Sequence, residues 1–311
     1  MAASPLRRLE LATKFPPQRW LRHRAEAPII ALPVTEPPVN SPGTQSVYRR
    51  ASPWLLVGVS AVLLVVWLWH TPPGLLGKAD AVGYAICHRI DGHSFHLGSR
   101  QLPLCARCTG TFLGAVLGVV AMFVMRRRRA GRLPPVPVLA AAAFFIIAMG
   151  IDGVNSYLSF FPGLPHLYEP RNWLRLVTGM FEGVALSLLV WPIFNQTIWR
   201  VWEDRPAVAN LRELGYIAAA AVVVIGLVLT GNAWVVYPLA LLSAGGVMMM
   251  LTLLDTIILL IIVRRENRVE NWKAAVLPLL AGATLALAQV AAIDAGRFAV
   301  FGTWGGLVLP K

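Results

Sequence analysis

Seven long apolar segments dominate the sequence, and most of its charged residues lie outside them. Each segment has close to the ~20 residues that a helix needs to cross ~30 Å of hydrocarbon. They lie at residues 53–70, 105–125, 136–160, 172–194, 213–231, 235–263 and 273–293. Helices are expected, because a helix satisfies its own backbone hydrogen bonds in lipid. The predicted fold class is an all-α, polytopic bundle of about seven transmembrane helices.

The composition also indicates a membrane protein. Only 14% of the 311 residues are charged and 57% are hydrophobic, whereas soluble domains carry about 25% charged residues. The formal net charge is +13, but the arginines flank apolar segments and no basic stripe with interleaved aromatics appears. The expected partner is therefore the lipid bilayer and not nucleic acid. The sequence leaves open whether another membrane protein or a second copy of the chain also binds.

The arginines predict an orientation. Three loops that would share one side of the membrane are basic: 126–135, 195–212 and 264–272. On the opposite side, the loops 161–171 and 232–234 together hold one basic residue, Arg171. Because basic loops stay in the cytoplasm, the N-terminus is predicted inside and the C-terminus outside a prokaryotic plasma membrane. Segment 71–104 is then extracytoplasmic.

These features divide the chain into three parts. Residues 1–52 are rich in proline without a sustained apolar period, which predicts a disordered, basic cytoplasmic tail. Residues 53–194 form a four-helix membrane region with an extracytoplasmic Cys/His loop. Residues 195–311 hold three further transmembrane helices and a C-terminal tail, and the residues after 293 are predicted to form an interfacial hairpin.

Glycines mark surfaces where helices approach closely. Gly110, Gly114 and Gly118 recur every four residues in the second segment, which is typical of close helix packing. The same role is predicted for glycines of the sixth and seventh segments: Gly245, Gly246 and Gly282. The sixth segment is also long enough either to tilt strongly or to break at its glycine pair.

All three cysteines and three of the six histidines lie within the 22 residues CHRIDGHSFHLGSRQLPLCARC, which start at Cys87. This clustering predicts a site on the extracytoplasmic face. In a first interpretation, four side chains bind one tetrahedral metal ion, most simply zinc: Cys87, His88, Cys105 and Cys108. Two alternatives are that His93 or His96 is a ligand instead, or that one of them opens the site toward catalysis.

Two other interpretations compete with a metal site. Cys105 and Cys108 would form a redox dithiol if the helix dipole, Arg100 and Arg107 stabilise a thiolate at this helix start. The chain would then be a membrane thiol–disulfide oxidoreductase, although such enzymes generally need a second cysteine pair and only Cys87 is left. A structural disulfide with surface histidines is the third interpretation. None of them identifies a catalytic residue or a substrate.

Polar side chains also occur inside the predicted helices, where an ionisable group costs about 2.5–3.5 kcal/mol. They lie on the third, fourth and sixth segments: Asp152, Asn155, Arg175, Thr178, Glu182 and Asp255. A buried Asp152–Arg175 pair is expected between neighbouring antiparallel helices. Glu182 and Asp255 lack an obvious cationic partner and are candidate proton or cation carriers. Together these groups predict a polar cavity beneath the Cys/His cluster, unless they only fix helix packing.

Three stretches resemble a family of uncharacterised prokaryotic membrane proteins, domain of unknown function 2085. They are the block ending in G-x-R-Q-L-P-L-C-A-R-C-T-G at Gly110, the Asp152-Gly153 pair and N-x-L-R-x-x-T-G from Asn172 to Gly179. The resemblance covers roughly residues 80–190. It implies importance for Cys87, His88, Ser94, Phe95, Gly98, Arg100, Gln101, Cys105, Arg107, Cys108, Gly110, Asn172, Thr178 and Gly179. It favours the quartet with His88 as the metal ligands, and it implies no established activity.

The function predicted from the sequence is therefore a metal-binding membrane protein, with transport or assembly as its role. A thiol–disulfide oxidoreductase and a structural subunit of a membrane complex are the alternatives.

Overall fold

The structure, a computed structural model, describes residues 42–161 and 163–306, with side chains from Pro53 onward. Its α-helices are α1 (Pro42–His70), α2 (Gly74–Ile86), α3 (Ala106–Val124), α4 (Val136–Leu158), α5 (Asn172–Ile198), α6 (Leu211–Leu229), α7 (Ala233–Ile262) and α8 (Trp272–Phe301). Two pairs of short strands accompany them: β1 (His96–Leu97) with β2 (Arg100–Gln101), antiparallel, and β3 (Ala130–Arg132) with β4 (Glu203–Pro206), parallel. The prediction of a disordered tail falls largely on residues 1–41, which lie outside the described residues.

Every described α-helix except α2 is long and apolar enough to cross a membrane, with α1 contributing residues 53–70. This confirms the seven predicted spans. Two details differ from the prediction. Helix α7 is continuous through its glycine pair, so the predicted alternative of a break is wrong. Helix α8 runs on to Phe301, so the residues just after 293 are helical and do not form a hairpin.

The connections between helices gather at two ends of the bundle. At one end, named here the arginine end, the backbone of Glu203 bonds to that of Arg129 and the backbone of Arg200 to that of Val269. At the other, named the cysteine end, lie α2, the Cys/His block and the end of α8. That the arginine end faces the cytoplasm stays a prediction of the positive-inside rule.

Helices α3 and α5 pack backbone against backbone. A Cβ atom on Gly114 would overlap the carbonyl oxygen of Met180, and one on Gly183 would overlap that of Thr111. The predicted packing role is confirmed for the glycines whose added Cβ would meet a neighbouring helix: Gly110, Gly114, Gly118, Gly246 and Gly282. Gly245 is the exception, because nothing among the described residues lies within 4 Å of its added Cβ.

Helix α2 was not predicted from the sequence. Its 13 residues are too few to span a bilayer, and a run of this length is typical of a buried or interfacial segment. It buries Ala81 and Tyr84 and packs on α7 and α8 at the cysteine end. Cys87 follows directly after its last turn, so α2 positions the first cysteine of the block.

Replacing Gly114 by valine should separate α3 from α5, because no side chain fits between the two backbones. We expect a loss of about 1–3 kcal/mol or more in the free energy of unfolding, the usual cost of overpacking. Denaturant titration of the protein in detergent micelles measures it. The matched control is Gly150→Val on α4, where an added Cβ meets nothing within 4 Å; equal losses in both variants would contradict the packing model.

Candidate metal centre

Three cysteine side chains converge where α2 ends and α3 begins. Cys87 is the C-cap of α2, Cys105 is the N-cap of α3, and Cys108 lies in the first turn of α3. Their Sγ atoms all lie within 4.8 Å of one another, and none of the three forms a disulfide. Cys87 and Cys105 are buried and Cys108 is half-buried. We name these residues the cysteine triad.

The surroundings of Cys87 favour its thiolate. Its Sγ atom accepts backbone N–H bonds from Arg89 at 3.4 Å and from Cys105 at 3.3 Å. Hydrogen bonds from the thiols of Cys105 and Cys108 contribute most, and together with the backbone bonds they hold the pKa of Cys87 well below that of a free thiol. The thiolate is the form of cysteine that binds a metal ion.

The structure places His88 beside the triad and not among its sulfurs. The Nδ1 atom of His88 accepts the backbone N–H of Ile90 at 3.1 Å. Since Nδ1 acts as the acceptor, a neutral ring carries its proton on Nε2. Burial lowers the pKa of His88, so this ring is neutral at neutral pH, as a metal ligand must be.

The other two histidines of the block have separate surroundings. The ring of His93 stacks on Phe160 at 5.1 Å between centroids, and its centroid lies 5.7 Å from that of His88. Burial lowers the pKa of His93 to about 4. His96 pairs with the exposed carboxylate of Asp91 at 2.8 Å. Neither belongs to the group of side chains that could share a metal ion with the triad.

Charged groups fix the loop between Cys87 and Cys105 to α2. The carboxylate of Asp80 accepts from Arg89 at 3.0 Å and from Arg100 at 2.6 Å, one bond on each oxygen. Asp80 and Arg89 are largely buried. The double contact joins both halves of the loop to one side chain of α2.

Amide side chains complete the attachment. The Nε2 atom of Gln101 donates to the carbonyl oxygen of Arg89 and to the hydroxyl of Ser94, both at 2.8 Å. Asn172, at the start of α5, donates to the carbonyl oxygen of Gly92 at 3.1 Å. Gly98 has a φ of +61°, which the tight turn between β1 and β2 requires.

Helix α8 also contacts the site, which the sequence analysis missed. Arg297 donates to the carbonyl oxygen of Cys87 at 2.9 Å and to that of Tyr84, and its guanidinium lies 4.0 Å from the centroid of the Tyr84 ring. The carbonyl oxygen of Trp304 accepts from Arg89 at 3.2 Å. The signal in the sequence was a single arginine in an apolar stretch, which needs a polar partner inside the protein.

The buried acid of α4 pairs with a different arginine from the one predicted. Asp152 accepts from Arg107 at 2.5 Å, from the Tyr168 hydroxyl at 2.9 Å and from the Thr178 hydroxyl at 3.4 Å. The prediction of an Asp152–Arg175 pair is therefore wrong. It considered only α4 and α5 as neighbours, whereas α3 packs against α5 and its Arg107 side chain reaches the carboxylate on α4.

Arg175 bonds to neutral groups instead. Its Nε atom donates to the hydroxyl of Ser156 at 3.3 Å, and its Nη1 atom donates to Oδ1 of Asn172 at 2.8 Å. Asn155 holds the loop that follows α4: its Oδ1 atom accepts the backbone N–H of Leu167 at 2.6 Å, and its Nδ2 atom donates to the carbonyl oxygen of Tyr168. These contacts tie α3, α4 and α5 together beneath the triad.

The two remaining intramembrane acids lie at separate interfaces. Glu182 accepts from the Thr111 hydroxyl at 2.7 Å between α5 and α3. Asp255 accepts from the Nε2 atom of Gln289 at 3.0 Å between α7 and α8. The structure does not bring them together, and a role in proton or cation movement stays a prediction for each.

Comparison with known proteins gives the site a family context. The family of predicted membrane proteins with domain of unknown function 2085 matches residues 87–189. An uncharacterized protein of Methanothermobacter thermautotrophicus is 30% identical over 104 residues, which are 33% of this chain and 83% of that relative. The chain belongs to this family. A second similar protein, an uncharacterized protein of Methanocaldococcus jannaschii, is 28% identical over 123 residues, or 40% of this chain and 72% of that relative.

The family segment holds the whole triad, the β1–β2 turn and most of the α3–α4–α5 unit. Helices α1, α2, α6, α7 and α8 lie outside it, although α2 and α8 both contact the site. No solved structure matches the chain.

Replacing Asp152 by asparagine should destabilise the protein, because it leaves the guanidinium of Arg107 without its carboxylate. Removing one partner of a buried pair costs about 3–5 kcal/mol in the free energy of unfolding. The matched control is Glu270→Gln in the exposed Arg200–Glu270 pair, where about 0–1 kcal/mol is expected. Denaturant titration compares the two; a loss at Asp152 no larger than at Glu270 would show that the buried pair is not structural.

Proposed function

We propose that the cysteine triad binds one zinc ion, and that this ion fixes the cysteine end of the bundle on the extracytoplasmic face. The proposal rests above all on the three Sγ atoms lying within 4.8 Å of one another. Thiolates around a tetrahedral zinc ion with Zn–S bonds of about 2.3 Å lie about 3.8 Å apart. Small side-chain rotations would therefore bring all three into reach of one ion.

The burial of the triad and the hydrogen bonds to its sulfur atoms support metal binding. Two of the thiols are buried, and Cys87 accepts two backbone N–H bonds. Hydrogen bonds to ligand sulfurs are the outer-shell contacts that stabilise metal-bound thiolates. When bound, zinc would link the end of α2 to the start of α3 and so contribute folding free energy.

We propose His88 as the fourth ligand. It follows Cys87 directly, and its pKa is lowered by burial, which keeps the ring neutral. To bind a metal through Nδ1, the ring must release the N–H of Ile90. A closed site of three cysteines and one histidine is typical of a structural zinc, whereas an open fourth position is typical of catalysis. Whether His88 binds the ion therefore distinguishes a structural zinc site from a catalytic one.

We infer a structural role for the site in the membrane domain. Around the triad, Asp80 of α2 pairs with the guanidinium of Arg89, and Arg297 of α8 donates to the carbonyl oxygen of Cys87. Beneath it, Asp152 connects α3 with α4. These contacts support a metal that completes a scaffold, in line with assembly more than with transport of a substrate.

Metal analysis of the purified protein should find one zinc ion per chain. Cys108→Ser should lower the affinity for zinc more than about 100-fold, above the cost of losing an outer-shell partner. His88→Ala should have an effect of the same kind. The control is His96→Ala, which removes an imidazole from the same loop but breaks only an exposed pair with Asp91. Absence of stoichiometric metal in protein purified under reducing conditions would refute the proposal.

If His88→Ala keeps its zinc while Cys108→Ser loses it, the ion has three protein ligands and an open position. That outcome retains the metal and assigns the triad to catalysis instead of structure.

The rival function, a thiol–disulfide oxidoreductase, is favoured by one observation: the sulfurs of the triad are close together without a disulfide. Maleimide labelling separates the two. If a metal protects the thiols, a chelator alone should make all three thiols of the chain reactive toward maleimide. If the thiols are oxidised, they should react only after treatment with a reductant. A response of Cys105 and Cys108 to reductant and not to chelator would indicate a disulfide, and cycling of this pair between reduced and oxidised forms in cells would then distinguish the redox function from a structural disulfide.

A further inference from the structure

A cavity opens between α1 and α8 near the cysteine end. Its volume is about 460 Å³, within the ~300–1,000 Å³ of small-molecule sites. Its walls include Leu63, Val66, Trp67, Asp294, Phe298 and Trp304. The lining is largely apolar, and its polar side chains are those of His70, Thr71 and Asp294, as expected for a site in which a few polar groups orient a lipid-soluble ligand.

Asp294 is the acidic residue in the lining of this cavity. It is only 3% exposed, and its Oδ2 atom accepts from the indole N–H of Trp67 at 3.0 Å. Its Oδ1 atom has no hydrogen-bond partner among the described residues. Because the last torsion of an aspartate is broad, a small rotation presents this oxygen to the cavity. An ionisable group at such a depth is a functional site by default.

An apolar groove continues from the cavity along α1. Its walls share Leu63 and Val66 with the cavity and extend to Gly58 and Trp54. An added Cβ at Gly58 would meet nothing within 4 Å, so the groove is open there. From Trp67 to Gly58 it runs about 14 Å along the helix, close to one leaflet of a ~30 Å hydrocarbon core.

The rim of the cavity carries a positive charge. Thr71 lines the cavity, and the ammonium of Lys78 donates to its hydroxyl at 2.9 Å and to its carbonyl oxygen at 3.0 Å. The site therefore has at its floor a carboxylate with one oxygen that no described residue bonds, a cation at its rim and an apolar groove leading into the membrane. A zwitterionic head group fits this arrangement with its ammonium at the floor beside the carboxylate and its negative charge at the rim.

We propose that the cavity binds an amphiphile with a primary ammonium head, which pairs with Asp294 while its alkyl chain lies in the groove on α1. An aminophospholipid of the bilayer and a free lipophilic amine share this chemistry. A primary ammonium suits the site because it brings both a charge and N–H donors to Oδ1, and charge-assisted hydrogen bonds are the strong ones. This inference does not depend on zinc at the cysteine triad.

Native mass spectrometry of the full-length protein in detergent, with phosphatidylethanolamine, phosphatidylcholine or dodecylamine added at equal mole fraction, tests the proposal. Phosphatidylcholine has the same charges but no N–H donors. We expect phosphatidylethanolamine to be retained about tenfold over phosphatidylcholine, the factor that one charge-assisted hydrogen bond supplies. Asp294→Asn should abolish this preference.

Three further variants distinguish loss of the ligand from a general loss of folding. Ala295→Phe should fill the cavity and displace the amphiphile while it leaves the carboxylate in place. Ala292→Phe, on the same helix and exposed but outside the cavity, should retain it. Asp255→Asn controls for the loss of a different buried acid and should also leave retention unchanged.

Retention of both amine ligands supports an aminophospholipid as the occupant, and retention of dodecylamine alone supports a free lipophilic amine. Equal retention of phosphatidylcholine and phosphatidylethanolamine, with no retention of dodecylamine, overturns the proposal. So does an unchanged preference in Asp294→Asn or in Ala295→Phe.

Discussion

Where α3 and α5 cross, glycines on both helices leave no side chain between the two backbones. Such close approach is how helices gain packing energy in lipid, where hydrophobicity gives no drive to associate. The site depends on this contact. It sets the first turn of α3, with Cys105 and Cys108, against the start of α5, and it brings Arg107 to Asp152 and Thr111 to Glu182. A wider crossing would undo these polar contacts and leave charges unpaired in the membrane.

The membrane spans could be predicted because length and hydropathy are local properties of the sequence. Helix α2 could not, since its 13 residues are stabilised by packing on α7 and α8. The extension of α8 to Phe301 was missed for a related reason. Asp294 and Arg297 suggested that the span had ended, whereas Trp67 donates to one oxygen of Asp294 and the carbonyl oxygens of Tyr84 and Cys87 accept from Arg297 within the protein.

The candidate site could also be predicted only in part. Clustering along the chain indicated that Cys87, Cys105 and Cys108 lie together, and the structure brings their sulfurs within 4.8 Å. Adjacency in sequence did not decide how His88 is oriented, because its ring bonds to Ile90. The partner of Asp152 could not be deduced from neighbouring segments, since the choice between Arg107 and Arg175 depends on how three helices cross.

Arg297 holds the backbone of Cys87 from a position 210 residues further along the chain. A membrane protein inserts its segments in the order of synthesis, so α2, α3 and α5 reach the bilayer long before α8. During that interval the loop of Cys87 lacks the guanidinium that fixes its carbonyl oxygen and the helix that covers α2. The geometry of the cysteine triad therefore depends on a helix that is synthesised well after the residues that form the triad.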